Sequence, residues 1–204
     1  MTTFFLIRHA SCSGLGHTLW GRTPAICLNE NGEMQAQRLA DRFKGVTLDA
    51  IYSSPLERAL QTAEVLARTM NLEVKKSTAA NEINFGEWTG KTFEELSSDE
   101  QWRRFNSHRS MTIIPGGESF PEVQNRIIKE INTLALQHGE ARVAIVSHAD
   151  VIRAAVAYFA GTPIDLIERF EISPCCVSVV AVDKDNATLL TINNEPDLGR
   201  FWSD

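Results

Sequence analysis

Several features that mark specialised classes of protein are scarce or absent in this sequence. The chain carries a net charge of −6 and has no block of Lys and Arg residues, which argues against a nucleic-acid partner. Its longest apolar stretches are far too short to span a bilayer. Near the N-terminus, Arg8 and His9 interrupt the only apolar run, so no signal-peptide core is expected there. We therefore expect neither a nucleic acid nor a membrane to be a partner.

Cysteine is also rare. The four cysteines are Cys12, Cys27, Cys175 and Cys176, and their spacing fits neither a zinc site nor a redox pair. Such a sequence is typical of a reduced, cytoplasmic protein.

The overall composition is that of an ordinary globular protein. The chain has 204 residues, of which 43% are hydrophobic and 23% are charged. This length is enough to bury a substantial core in one domain. No internal repeat, low-complexity segment or linker divides the sequence, so we expect a single domain over residues 1–204.

Short apolar runs alternate with amphipathic stretches along most of the chain. Strands of a buried parallel sheet are typically short and continuously apolar, whereas helices repeat apolar residues every three or four positions. These patterns predict strands at 4–7, 50–53, 72–75, 143–146, 177–182 and 188–192, and helices beginning near 31, 54, 119 and 149. The turn at 183–186 should join the last two strands as a hairpin.

This order of elements predicts an α/β fold. We expect a three-layer α/β/α sandwich with a mostly parallel sheet and an antiparallel edge hairpin. The less regular residues 77–117 should form a small cap segment over the carboxyl ends of the strands. Capping boxes are predicted at Thr92 and Ser119, and a third at Ser54, where Pro55 and Glu57 complete the pattern of a helix start.

Charged side chains follow three of the predicted strands. Arg8 and His9 come at the end of the first strand, Arg58 lies in the first turns of the helix after the second, and His148 follows the strand at 143–146. Parallel strands open onto the same sheet edge, where ligands of such folds bind. Two arginines and two histidines should therefore converge there, together with helix N-termini. This is an anion site, and phosphate is its best ligand.

Five segments together resemble the histidine phosphatase superfamily, also called the phosphoglycerate mutase-like family. The first segment, Leu-Ile-Arg-His-Ala, resembles the Arg-His-Gly signature of that family, and Pro-Gly-Gly-Glu-Ser is common in its phosphatase branch. The segments occur in family order, at residues 6–10, 53–63, 81–90, 115–119 and 147–153.

The resemblance implies a role for each of the converging residues. His9 would be the nucleophile that forms a phosphohistidine, and Arg8, Arg58 and His148 would hold the phosphoryl oxygens. Glu82 would protonate the leaving oxygen and then assist attack by water. Neither a metal nor another cofactor is implied. The charge of the neighbouring arginines should disfavour protonation of His9.

Three further residues near these segments are candidates for function. Glu87 lies five residues after Glu82 in the same predicted loop and is the alternative acid, although Glu82 fits the family position. Ser11 and Arg22, in the loop after the nucleophile, are candidate substrate-binding residues.

Two family glycine positions carry other residues. The glycine expected after the nucleophile is Ala10, so the local turn must tolerate a Cβ atom. The glycine pair after the second histidine is replaced by Ala149 and Asp150, and a carboxylate there is expected to repel a highly anionic substrate.

The resemblance implies a phosphoric monoester hydrolase of the histidine acid phosphatase type, acting on a small phosphorylated metabolite such as an α-ribazole phosphate or a sugar phosphate. A phosphoglycerate mutase is the nearest enzymatic alternative. A non-catalytic protein that binds phosphorylated ligands is an alternative from another class, although such a protein would need no proton donor like Glu82.

Overall fold

A computed structural model describes residues 1–195 of the chain. It contains a six-stranded sheet in the order β3-β2-β4-β1-β5-β6. The strands are β1 (Thr2–Arg8), β2 (Ala50–Ser53), β3 (Val74–Lys76), β4 (Arg142–Ser147), β5 (Val177–Val182) and β6 (Ala187–Asn194). The helices are α1 (Glu30–Arg42), α2 (Glu57–Met70), α3 (Phe93–Ser97), α4 (Glu100–Ser107), α5 (Phe120–His138) and α6 (Ala149–Phe159). Three 3-10 helices are Thr78–Ala80, Gly86–Trp88 and Ile164–Arg169.

The sheet is parallel from β3 to β1 and antiparallel at the β5–β6 edge. This confirms the predicted α/β class with an antiparallel edge hairpin. Because β4 lies between β1 and β2, the carboxyl ends of these three strands are neighbours at one edge of the sheet.

Alternate residues of β1 point to opposite faces of the sheet, as strand geometry requires. Phe5 and Ile7 pack in one apolar cluster with α1 and α2, whereas Phe4 and Leu6 pack in another with α5 and α6. All four side chains are almost completely buried. The helices therefore form two layers, one on each face of the sheet.

The residues between β3 and α5 join the second of these clusters. Trp88 contacts Trp102 edge-on, with the ring centroids 5.3 Å apart, and both rings contact Phe105. These aromatic contacts fix the chain that follows β3 against the body of the protein, next to the carboxyl edge of the sheet.

The predicted capping boxes at Thr92 and Ser119 are confirmed, each with the glutamate three residues later. The predicted box at Ser54 is wrong. Helix α2 begins at Glu57, its N-cap is Leu56, and no side chain caps it. The hydroxyl of Ser54 instead contacts His148 and Asn81, so a tertiary contact replaces the predicted local one.

No helix within residues 1–195 is both long enough and apolar enough to cross a membrane.

Candidate active site

His9 lies directly after β1 and is 4% exposed. Its backbone N–H donates to the carbonyl of Ser147 on β4, extending the ladder between the two strands. Its Nδ1 lies 2.7 Å from the carbonyl oxygen of Ala10. Because a carbonyl can only accept, Nδ1 carries the proton and Nε2 carries a free lone pair. Ala10 does not have the positive φ that favours glycine, so its Cβ is tolerated.

The pKa of His9 is lowered to about 3, first by burial and then by the positive charges of Arg58 and Arg8. His9 is therefore neutral over the physiological range. A neutral imidazole with an unprotonated Nε2 is the form that can act as a nucleophile.

Two arginines at the site each have a buried guanidinium nitrogen that is free to donate a hydrogen bond. Arg8 donates from Nη1 to the carbonyl of Ile172 at 2.6 Å, and Arg58 donates from Nη2 to the carbonyl of Gly21 at 2.8 Å. Among the described residues, Nε of Arg8 and Nη1 of Arg58 have no hydrogen-bond partner. A buried donor without a partner is costly, and an anion bound beside His9 would satisfy both groups.

His148 is the N-cap residue of α6 and is completely buried. Its ring centroid lies 5.1 Å from that of His9. Burial, followed by the charge of Arg58, holds the pKa of His148 well below its usual value. The strand order explains this proximity, since β1 and β4 are adjacent and each is followed directly by a histidine.

Glu82 brings a carboxyl group to the same place. Its Oε2 lies 3.6 Å from Nδ1 of His148, and its Oε1 accepts the backbone N–H of Ile83 at 2.9 Å. Burial raises the pKa of Glu82 to about 7, and the negative charge of Asp150 adds to the effect. Such a carboxyl group can both donate and accept a proton near neutral pH. The alternative acid, Glu87, is exposed.

The backbone at Glu82 is held by two arginines. Arg22 donates from Nε to the Glu82 carbonyl at 2.8 Å, and Arg126 donates to the same carbonyl at 3.2 Å. Glu118 accepts from both, at 2.8 Å from Arg22 and 3.1 Å from Arg126, and also accepts the backbone N–H of Asn84 at 2.9 Å. Glu118 therefore fixes the loop that carries Glu82.

The sequence did not indicate Arg126. It lies on α5, within an amphipathic pattern that any solvent-facing arginine would satisfy. Its contacts are with Ala79 and Glu82, which are distant in sequence, and with Glu118. No local signal predicts such contacts.

The two candidate substrate-binding residues of the first loop have protein partners. The backbone N–H of Ser11 donates to Gln35 at 2.8 Å, and its hydroxyl accepts from Asn29 at 3.3 Å. The guanidinium of Arg22 is directed to Glu82 and Glu118, as described above. Their predicted contact with substrate remains a prediction.

Asp150 lies close enough to the site to influence Glu82, but its charge is compensated. Arg153 contacts it at 2.9 Å and Arg109 at 3.4 Å. These arginines, together with Arg8, help to hold the pKa of Asp150 below its usual value despite burial. The carboxylate is thus ionised and paired, which reduces its expected repulsion of an anionic substrate.

Within residues 1–195, no three His, Cys, Asp or Glu side chains are grouped so that they could hold a metal ion. The groups at this edge of the sheet form a cationic cluster, with the carboxyl groups of Glu82 and the arginine-paired Asp150 beside it.

Comparison with known proteins gives a consistent assignment. The family model described as "Histidine phosphatase superfamily (branch 1)" matches residues 4–195. Phosphoserine phosphatase 1 of Hydrogenobacter thermophilus is 31% identical over 99% of this chain and 97% of its own length. The adenosylcobalamin/α-ribazole phosphatase of Escherichia coli is 27% identical, covering 93% of this chain and 95% of its own length. The crystal structure of the Entamoeba histolytica phosphoserine phosphatase in complex with 3-phosphoglyceric acid matches with a TM-score of 0.86 and 29% identity, covering 96% of this chain and 98% of that chain.

Proposed function

This chain belongs to branch 1 of the histidine phosphatase superfamily, and we propose that it is a metal-independent phosphomonoesterase that forms a phosphohistidine at His9. The substrate is a small phosphorylated metabolite. The observation that carries the proposal is the state of His9, whose Nδ1–H is fixed by the Ala10 carbonyl at 2.7 Å. Its Nε2 is left unprotonated near the positive charges of Arg8 and the buried Arg58.

In the first step, Nε2 of His9 attacks the phosphorus atom of the bound ester. The P–N bond forms as the bond from phosphorus to the ester oxygen breaks, and Glu82 gives its proton to that departing oxygen. Arg8, Arg58 and His148 hold the non-bridging oxygens, whose charge is redistributed in the transition state. The free donors of Arg8 and Arg58 support this role.

In the second step, Glu82 has lost its proton and acts as a base. It takes a proton from a water molecule as the water oxygen attacks phosphorus, and the P–N bond breaks to release inorganic phosphate. His9 regains its lone pair and Glu82 its proton, so the cycle closes. A pKa of about 7 suits a group that must perform both transfers.

The relatives suggest which substrates to test first. Two of the proteins described above are phosphoserine phosphatases, and another is an α-ribazole phosphatase. Phosphoserine, α-ribazole phosphate and a set of sugar phosphates therefore form the first panel.

The experiment compares wild type with His9→Ala in hydrolysis of p-nitrophenyl phosphate with EDTA present, followed by the metabolite panel. Turnover in EDTA that His9→Ala abolishes supports the proposal. Turnover that survives the substitution contradicts the phosphohistidine mechanism.

The same panel separates the alternatives. Transfer of the phosphoryl group to a second hydroxyl of a phosphoglycerate, without release of inorganic phosphate, would favour the mutase. Tight vanadate binding with no turnover of any substrate would favour the non-catalytic binding protein.

A further inference from the structure

The hydroxyl of Ser54 lies between two polar groups at the end of β2. Its oxygen is 2.8 Å from Nε2 of His148 and 3.3 Å from Oδ1 of Asn81. Ser54 is completely buried, so the orientation of its single proton is decided by these protein groups.

Asn81 provides one acceptor for the hydroxyl proton of Ser54. Its Oδ1 accepts the backbone N–H of Glu82 at 2.9 Å, which identifies this atom as the amide oxygen and therefore as an acceptor only. A Ser54 proton directed at Oδ1 of Asn81 leaves the Ser54 oxygen as an acceptor for Nε2 of His148, and in that arrangement Nε2 carries the proton.

A separate contact leads to the same tautomer. Nη2 of Arg58 lies 3.3 Å from Nδ1 of His148, and a guanidinium can only donate. Nδ1 is therefore unprotonated when the site is empty. The backbone N–H of Leu56, at 3.4 Å from the Ser54 oxygen, adds a further donor to that oxygen.

We propose that Ser54 is a positioning residue for His148, which holds the imidazole by accepting its Nε2–H so that Nδ1 faces the phosphoryl group. This inference rests on the proposed function of His148 as a ligand of that group. Nδ1 can donate to a phosphoryl oxygen only after it gains a proton. The imidazole must therefore become an imidazolium when the dianion binds, and Ser54 stabilises this form by accepting from the opposite nitrogen.

The groups around His148 act on this protonation in opposite directions. Glu82 faces Nδ1 at 3.6 Å, and its ionised form favours the imidazolium. The positive charges that oppose protonation in the empty site come from β1, α2 and α5; they belong to Arg8, Arg58 and Arg126, and His9 adds to them when protonated. A bound dianion neutralises these positive charges, which is why protonation should accompany binding.

The test uses 15N-histidine-labelled protein and long-range 1H–15N correlation spectra, which distinguish the tautomers and the imidazolium. The chain has only five histidines, so assignment by substitution is practical. Sulfate serves as the probe, because a sulfate dianion does not titrate near neutral pH and any protonation is then that of the protein. His148 of the empty wild type should show a protonated Nε2 and a bare Nδ1, and both nitrogens should be protonated in the sulfate complex.

Ser54→Ala removes the acceptor of the Nε2–H. In this variant we expect His148 in the sulfate complex to lose its second proton at a lower pH than in wild type. Sulfate affinity should fall by about ten- to a hundredfold, the effect of one hydrogen bond to a charged group. Ser53→Ala is the matched control, since Ser53 is equally buried and its hydroxyl donates to the backbone carbonyl of Ser54 at 2.9 Å.

An Nδ1–H tautomer in the empty wild type would overturn the proposal. It would also be overturned if His148 titrates in the Ser54→Ala sulfate complex as it does in wild type. If Ser54→Ala does not fold, the wild-type spectra still decide the tautomer and the protonation on binding. The spectra do not depend on turnover. If the spectra show the expected tautomer but the protein has no phosphatase activity, the proposed function is contradicted and the role of Ser54 is not.

Discussion

The carboxylate oxygen Oε2 of Glu82 lies 3.6 Å from Nδ1 of His148. The proposed acid and one proposed ligand of the phosphoryl group are thus neighbours, and the leaving oxygen of a bound ester would lie on the Glu82 side. This arrangement makes the role of Glu82 depend on how much the leaving group needs a proton.

Glu82→Gln keeps the shape of the side chain but removes the transferable proton. We expect kcat/KM for an alkyl phosphate such as phosphoserine to fall by about 10²- to 10⁴-fold, the usual contribution of general acid catalysis. The loss should be much smaller for p-nitrophenyl phosphate, because nitrophenolate leaves without protonation. Steady-state kinetics with both substrates test this, and an equal loss for both would assign Glu82 a different role.

The pH dependence of kcat/KM should have a decline above about pH 7, because the raised pKa of Glu82 means that its acid form is lost there. His9 should produce no acid limb until about pH 3, since its pKa is depressed and its neutral form persists above that value. Glu82→Gln provides the reference profile, because ionisation of the substrate affects both proteins equally. If kcat/KM of both proteins falls on the acid side near the usual histidine pKa, by more than ionisation of the substrate explains, the depressed pKa of His9 is contradicted.

Glu118 offers a test of how Glu82 is held. Glu118→Gln weakens the contacts to Arg22 and Arg126, which bind the Glu82 carbonyl. We expect kcat for an alkyl phosphate to fall about tenfold, as for the loss of a hydrogen bond to a charged group, with a smaller effect on p-nitrophenyl phosphate. Glu87→Gln is the control, since Glu87 lies on the same loop but is exposed. Equal effects of the two substitutions would exclude a specific role for Glu118.

Gly86 lies on the loop that carries Glu82 and packs closely against the turn at 115–117. Its φ is +47°, and a Cβ atom there would lie 2.0 Å from the carbonyl oxygen of Pro115. Gly86→Ala should therefore lower the free energy of unfolding by about 2 kcal/mol or more, from backbone strain and overpacking together. In Gly90→Ala, the φ is +85° but no atom lies within 4 Å of the added Cβ, so this variant isolates the backbone effect. Urea unfolding of the two variants measures the difference, and equal destabilisation would show that the close contact relaxes freely.

Most of the sheet and its helices could be predicted because their signals are local. The strand at β2 was predicted with the observed bounds, Ala50–Ser53, since a short apolar run between polar turns has few other interpretations. The convergence of residues at one sheet edge follows from parallel strand order, and His9 and His148 lie there because β1 and β4 are adjacent.

What could not be predicted depends on contacts between distant residues. Ser54 matched a capping box, yet its hydroxyl contacts His148, which is 94 residues away. Arg22 was a candidate for substrate binding, but its guanidinium also binds Glu118, 96 residues away. In both cases the residue type was informative, but its partner was not encoded in the neighbouring sequence.

The central claim is that His9 takes the phosphoryl group of the substrate. The most direct test is rapid mixing of enzyme and substrate, quenching at alkaline pH where phosphohistidine survives, and mass spectrometry of the intact protein and its peptides. We predict a phosphoryl adduct on His9 that forms within the first turnover, is labile in acid, and is absent from His9→Ala. An adduct on another residue, or hydrolysis by wild type with no adduct during the first turnover, would contradict the account.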